Sequence, residues 1–470
     1  MAETFREYTH NWEIIMDRSR LLGEEKIGKL LLNFSIPAIV GMVVNALYNV
    51  VDRIFVGKGV GPLAISATSV AFPIPIIIMA FGMLVGIGAA ATVSIKLGQN
   101  KRDEAEHILG NAFTLVVAAS IFVTVLGLVF INPLLKLFGA SPEVFPLAKQ
   151  FVTIILIGAV LQNIGFGLNN LIRASGDPRT SMFTMLIGAF LNFIFNPLFI
   201  FVFGLGIRGS ALATIVSQSV CSVWVLRYFT SHRSLLRLKI HYLAPVWSNI
   251  RQIFAIGMSP FLMQLAACVI TIIFNNSLAV YGGDTALAAM GIINSVANLI
   301  LMPIFGINQG SQPIIGYNYG AKNYARAIKA LKLAALAATA ISTAGFILTE
   351  LFPEAIINAF SSSNADLLQK GTYGIRIFLL MLPIIGFQIV SSNFFQAIGK
   401  AQISIFLSLS RQVIILLPLL LILPGLFHLT GIWAAGPVSD FLSSVLTALL
   451  LLRELRRLAN TDPGTGLVNT

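Results

Sequence analysis

The sequence predicts an all-α polytopic membrane protein, with twelve transmembrane helices in two pseudo-symmetric six-helix lobes. Three observations carry that prediction. First, 56% of the 470 residues are hydrophobic and only 11% are charged, whereas a soluble domain carries roughly 25% charged residues. Second, the apolar residues form continuous runs of roughly 20 or more, the length that crosses a hydrocarbon core about 30 Å thick. Third, the two halves of the chain carry matching signatures at a nearly constant offset. This composition excludes a soluble enzyme. It also argues against a transmembrane β-barrel, whose strands would alternate polar and apolar residues.

In chain order the runs fall near 34–56, 62–95, 107–132, 145–172, 180–203, 208–230, 254–281, 285–316, 327–352, 366–397, 403–424 and 429–453. Several exceed one bilayer crossing, which suggests tilted helices that project beyond the membrane. The runs divide the chain into an N-terminal segment 1–33, an N-lobe 34–230, a connector 231–253, a C-lobe 254–453 and a tail 454–470. About 23 of the 31 Lys and Arg flank the even-numbered spans on their connector side or lie in the two termini. Positive charge collects in cytoplasmic connectors, so both termini are expected in the cytoplasm of a cell whose plasma (inner) membrane holds the protein. The same placement explains the net charge of +12 without nucleic acid. Cys221 and Cys268 fall inside apolar runs and read as small hydrophobes. The five His show no metal-ligand spacing.

The repeat is specific. Ser35-Ile36-Pro37 opens the first span and Met258-Ser259-Pro260 the seventh; Gly98 matches Gly320, and Arg173-Ala174-Ser175-Gly176 matches Gln396-Ala397-Ile398-Gly399. Each half has an even number of spans, so both run in the same sense about an axis along the membrane normal. A central cleft between the lobes follows, the architecture of a transporter that works by alternating access.

An ionisable group at mid-bilayer costs at least about 2.5–3.5 kcal/mol, so each one inside a span needs a partner or water. Asp52 and Asp440 lie well within spans. Asn45, Asn49 and Asp52 share one face of span one, Asn192 and Asn196 are i, i+4 on span five, and Thr214 and Gln218 are i, i+4 on span six. Gln162, Asn163, Asn169 and Asn170 add polarity on span four. These faces can converge on a hydrated cavity, and burial there would let Asp52 exchange a proton near neutral pH. The alternative is a helix-end ion pair of Asp52 with Lys58 or Arg208. On the second lobe, an extended Arg411 on span eleven could reach Asp440 on span twelve as a structural or gating ion pair. The amides Gln264, Asn275, Asn294, Asn298, Gln309 and Gln312 read mostly as interhelical hydrogen-bond partners. Met79, Met83, Met290 and Met302, with Phe72, Phe81 and Phe305, could give a cleft an adaptable apolar wall, although such residues also serve as plain packing.

The stretch from Ile36 to Gly57 resembles the first helix of the MATE (multidrug and toxic compound extrusion) transporters. The Gly98 and Gly320 connectors, the run Arg173-Ala174-Ser175-Gly176-Asp177-Pro178 and Asn196-Pro197 are similar to the DinF-like and MepA-like branch of that family. The resemblance spans residues 27 to 453. It implies export of drug-like, often cationic, organic compounds, coupled to a proton or sodium ion. Separately, no cofactor and no enzymatic activity are expected, and the protein is expected to be monomeric. It implies a first-lobe coupling site at Asp52, Asn192 and Thr214, and departs at Asn196, where many relatives carry Asp. It also links bending at Pro37 to protonation, although Pro37 can equally be a helix-opening proline. A lipid-linked oligosaccharide flippase of the wider superfamily is the competing reading. Such proteins usually carry more spans and a strongly basic cleft, whereas here Arg411 alone lies deep in a span, with Arg53 and Arg376 toward outer ends. No nucleophile elbow or phosphate loop supports an enzyme.

Overall fold

The computed structural model describes residues 21–232, 234–360 and 365–461. The remaining residues, together with the side chains of Asn49, Arg53 and Pro62, lie outside the described residues. The described residues are mostly helical, and none of them is in a strand. The first lobe holds α1 (Ile27–Gly59), α2 (Leu63–Gly98, broken at Phe72), α3 (Arg102–Val129), α4 (Phe145–Ala174), α5 (Pro178–Val202) and α6 (Ile207–Thr230). Hydrogen bonding runs unbroken over Trp247–Gly320, but 74 residues would reach about 110 Å as one rod, over three bilayers. The chain instead reverses at Gly283, φ 68°, giving α7 (247–282) and α8 (284–320). Next come α9 (Tyr324–Leu351) and α10, the pair Ala365–Phe378 and Leu382–Ala397 bent by 47°. Ala401–Thr461 likewise breaks at His428, φ 51°, into α11 (401–427) and α12 (429–461). These are the twelve expected spans. Several are longer than the hydrophobicity ruler gave: α1 starts at Ile27, α7 at Trp247 inside the expected connector, and α12 runs to Thr461. Polar turns around Lys29, Ser248 and Arg456 continue these helices past the hydrocarbon, which a count of apolar residues cannot register.

The duplication is written into the backbone. Positive φ recurs at Asn100 and Lys322, Gly61 and Gly283, Gly206 and His428, each pair 222 residues apart, and at Gly176 and Gly399, 223 apart. In the last 222-residue pair a histidine occupies a conformation that its first-lobe counterpart fills with glycine, a strain of about 1–3 kcal/mol.

Packing separates the two faces of the membrane. On the side where both described ends lie, one apolar core draws on both lobes, from Leu30 and Val85 through Ile304 and Ile314 to Phe394. On the other side the two larger cores do not mix the lobes. One, around Val56, Ile78 and Leu156, is built from the first lobe alone; the other, around Phe274, Ile293 and Trp433, from the second alone. The lobes are therefore fused on the termini side and separate on the other.

Glycine makes the fusion close. A Cβ on Gly98 would lie 2.0 Å from the Tyr317 carbonyl oxygen, and one on Gly320 2.1 Å from that of Ile95. These two contacts are exchanged by the pseudo-twofold. Alongside them a Cβ on Gly88 would lie 2.1 Å from the Ile253 oxygen, and one on Gly257 1.7 Å from the Leu84 oxygen. Backbone against backbone cannot yield as a flexible side chain does, so any larger residue must part the helices. Gly257→Val is accordingly expected to hold the seam open. A cysteine replacing Ser94, which is 1% exposed in the seam, should react with a water-soluble maleimide in the Gly257→Val background and stay protected without it. Equal protection in both would contradict this account of the seam.

The segment between the lobes is clamped to α3. Asn111 donates to the carbonyls of Tyr242 (2.9 Å) and Ala244 (2.8 Å) and accepts from Val246 N (2.9 Å). Thr114 donates to Leu243 O at 2.8 Å. One turn earlier the buried Glu106 pairs with Lys239 at 2.5 Å, and this carboxylate holds the Lys239 ammonium above the usual lysine range.

Candidate functional site

In the first lobe α1, α5 and α6 bring their polar side chains together. Asn196, on the last turn of α5, precedes Pro197, whose missing N–H interrupts the helical ladder. The chain then widens into a π turn, Leu198–Val202. Such turns insert one residue and redirect the side chains beside them. Two glycines let the neighbouring helices close on this turn: a Cβ on Gly209 of α6 would lie 2.8 Å from Phe199 O, and one on Gly59 of α1 2.3 Å from Ile200 Cγ2. Phe55, one turn beyond Asp52, packs on Phe193 and Phe201 with ring centroids 5.8 Å and 6.5 Å away. The polar cluster is thus closed on that side by aromatic rings.

Within it, Asp52 Oδ1 accepts from Asn196 Nδ2 and, at 3.1 Å, from Ser210 Oγ. Asn196 Nδ2 also lies 3.4 Å from Asn192 Oδ1, and Asn192 Nδ2 donates to Thr214 Oγ1 at 3.3 Å. Tyr48 OH and Thr214 Oγ1 are 3.4 Å apart. Asn192 and Asn196 are 3% and 0% exposed, while Asp52 is half-buried, so the carboxylate is more accessible than the two amides beside it. Asn196 Oδ1 is buried without a partner. An amide with its NH2 on a carboxylate and its C=O idle can turn over and accept from that group once it is protonated. Asn196 can therefore serve both protonation states of Asp52, which a second carboxylate in its place could not do as a donor.

The structure brings Asp52, Asn192, Asn196 and Thr214 into one network and adds two members that the sequence reading missed. Tyr48 lies four residues before Asp52 and Ser210 four before Thr214, so the i, i+4 rule that paired the amides would have found both. Asn45 is exposed, and the Asn49 side chain is outside the described residues. Asn163 turns to α3 and donates to Ser120 Oγ at 3.0 Å, and Asn170 bonds Phe166 O and Arg173, so these two amides of α4 do not extend the Asp52 cluster. Arg208, the suggested ion-pair partner of Asp52, gives its Nε to Gln150 Oε1 at 3.1 Å. Pro37 is buried inside α1, which runs as one helix through it from Ile27 to Gly59.

In the second lobe Arg411 Nε meets Asp440 Oδ1 at 2.7 Å. Arg411 sits in a π turn, Ser410–Leu416, and its carbonyl accepts from Ser439 Oγ at 2.6 Å. Below the pair, Ser443 lies one turn along α12 and accepts from Gln388 Nε2 at 2.7 Å. Of the apolar residues expected to line a cleft, Met290 is 4% exposed and belongs to the second lobe's own core, which corrects that expectation. Leu278, Ile293 and Trp433 in that same core account for its burial. Met79, Met83, Met302 and Phe305 are half-buried. Phe81 reaches across the lobes to Phe261, with ring centroids 4.9 Å apart, and Gln309 Nε2 lies 3.5 Å from Met42 Sδ. These two contacts join the lobes from α2 to α7 and from α8 to α1.

The MatE family profile matches residues 37–198 and 260–422, once in each half. The multidrug export protein MepA of Staphylococcus haemolyticus is 25% identical over 93% of this chain and 96% of its own length. That of Staphylococcus aureus strain MSSA476 is 26% identical over 92% and 95%. Among solved structures, a MOP superfamily transporter from Pyrococcus furiosus is similar, with a TM-score of 0.88 at 24% identity over 93% of this chain and 98% of that one. So is an outward-facing multidrug resistance MATE family transporter, with the same TM-score, identity and coverage.

Proposed function

Because the chain belongs to the MatE family, we propose that it is a secondary active exporter of drug-like organic compounds, cationic ones among them, driven by a proton gradient. Relatives named for multidrug export match it over nearly their whole length, and this supports the export reading. The positive-inside count supports cytoplasmic termini. With that orientation the fused seam faces the cytoplasm and the lobes part toward the outside, so the described state is outward-facing. Alternating access then consists of opening the glycine-lined seam while the outer halves close.

The coupling proposal rests on one observation: Asp52, carried by α1, accepts hydrogen bonds from neutral groups of α5 and α6. Ionised, it ties the three helices together. When a proton arrives, the carboxylate becomes a weaker acceptor, Ser210 loosens and Asn196 must turn its amide over to keep a bond, and during that exchange α1 is freed to shift against α5 and α6, with Pro37 as the point at which it can bend. A cationic compound in the cleft and a proton on Asp52 would compete through charge, so that one leaves as the other binds.

The test is transport in proteoliposomes under separately imposed gradients. An inward-directed proton gradient at constant sodium should drive efflux of an organic cation such as ethidium, and a sodium gradient at fixed pH should not. Sodium-driven export at fixed pH would transfer the coupling to sodium, and absence of export under either gradient would remove the reading altogether.

A further inference from the structure

Arg173, near the termini-side end of α4, is 6% exposed. Its described hydrogen-bond partner is a neutral one, Asn170 Oδ1 at 2.6 Å, and no carboxylate pairs with it among the described residues. Arg411, by contrast, has Asp440. A guanidinium held out of water without a counter-charge is a configuration that proteins avoid.

Beside Arg173 lies a cavity of about 10 Å³, lined by Ser94 of α2, Asn170 and Arg173 of α4, and Gln309 and Gln312 of α8. That volume suits one occupant near the size of a water molecule. Gln312 Nε2 is buried with no partner, so a second donor at this cavity lacks an acceptor. Gln309 Oε1 is likewise unpartnered, and half a turn of its amide would present NH2 there instead. Ser94 gives its hydroxyl proton to Ala90 O at 2.9 Å.

We infer that this inter-lobe cavity is a site for a single monatomic anion, chloride above all, held by the Arg173 guanidinium and the Gln312 amide. A water molecule would fill the space but leave the guanidinium charge uncompensated. A phosphate, sulfate or carboxylate could place one oxygen in it but would leave the rest outside. Because α2 and α4 come from one lobe and α8 from the other, the site is whole only while the seam is closed. Anion binding therefore favours the closed seam. The inference is independent of the transport reading, since its test measures binding alone.

Thermal unfolding of the purified full-length protein in sodium chloride is to be compared with sodium gluconate at equal ionic strength. Chloride should raise the midpoint saturably, by about 2 °C or more, in the wild type, and Arg173→Gln should show no such rise. No chloride-specific shift, or the same shift in Arg173→Gln, overturns the proposal. If Arg173→Gln does not fold, bromide-soaked crystals of the wild type decide the matter. An anomalous peak against the Arg173 guanidinium supports the site, and its absence there overturns it.

Discussion

Asp440→Asn should lower the thermal unfolding midpoint of the purified protein by roughly 10 °C. Removing one partner of a buried ion pair leaves the other charge uncompensated, at about 3–5 kcal/mol, and a six-helix lobe loses about 2–4 °C per kcal/mol. Asp440 is 7% exposed, and the 2.7 Å contact with Arg411 closes a π turn against α12. The double variant Arg411→Met with Asp440→Leu should recover most of the loss, because well-packed apolar side chains can replace a buried pair at little expense. If Asp440→Asn unfolds like the wild type, the pair is not structural. If in addition export fails in that variant, the pair is a gating element instead.

Asp52→Asn should reduce proton-driven efflux to the level of vesicles that lack the protein, while leaving the fold intact. Asparagine keeps the shape of the side chain and one acceptor oxygen, so the bonds from Asn196 and Ser210 can persist in part. What it removes is the exchangeable proton and the charge. A variant that folds, binds the organic cation and yet responds to no pH gradient is the expected result. Tyr48→Phe is a useful companion. It deletes a hydroxyl 3.4 Å from Thr214 without touching the carboxylate, and should weaken efflux without abolishing it.

Much of this architecture was legible because its signals are strong and repeated. Prolines 37 and 260, glycines 98 and 320 and the matched runs at 173 and 396 mark the duplication. The backbone carries the same offset in its positive-φ positions, down to His428 standing where the first lobe has Gly206. Asp52, Asn192 and Asn196 were legible because acids and amides are rare inside apolar runs, and Thr214 through its i, i+4 pairing with Gln218 and the family resemblance. Tyr48 and Ser210 were not singled out, since hydroxyl residues are ordinary in membrane helices and only their partners give them meaning. Asn163 was assigned to the wrong cluster because a helix face is visible in sequence but the neighbour it meets is not. Ser120 on α3 takes its amide, rather than Asp52. Met290 failed for the same reason: a methionine suits a cleft wall and a core equally, and the sequence does not say which it meets. The closed seam was invisible too, because it depends on which glycines meet which carbonyls across the lobes.

Proton release on substrate binding tests the central claim most directly. Detergent-solubilised wild type, in weak buffer with a pH indicator, should release about one proton per bound organic cation as Asp52 ionises, and Asp52→Asn should bind the cation without releasing any. Equal proton release from the two proteins would show that the exchange occurs elsewhere, and the role assigned to Asp52 would be wrong.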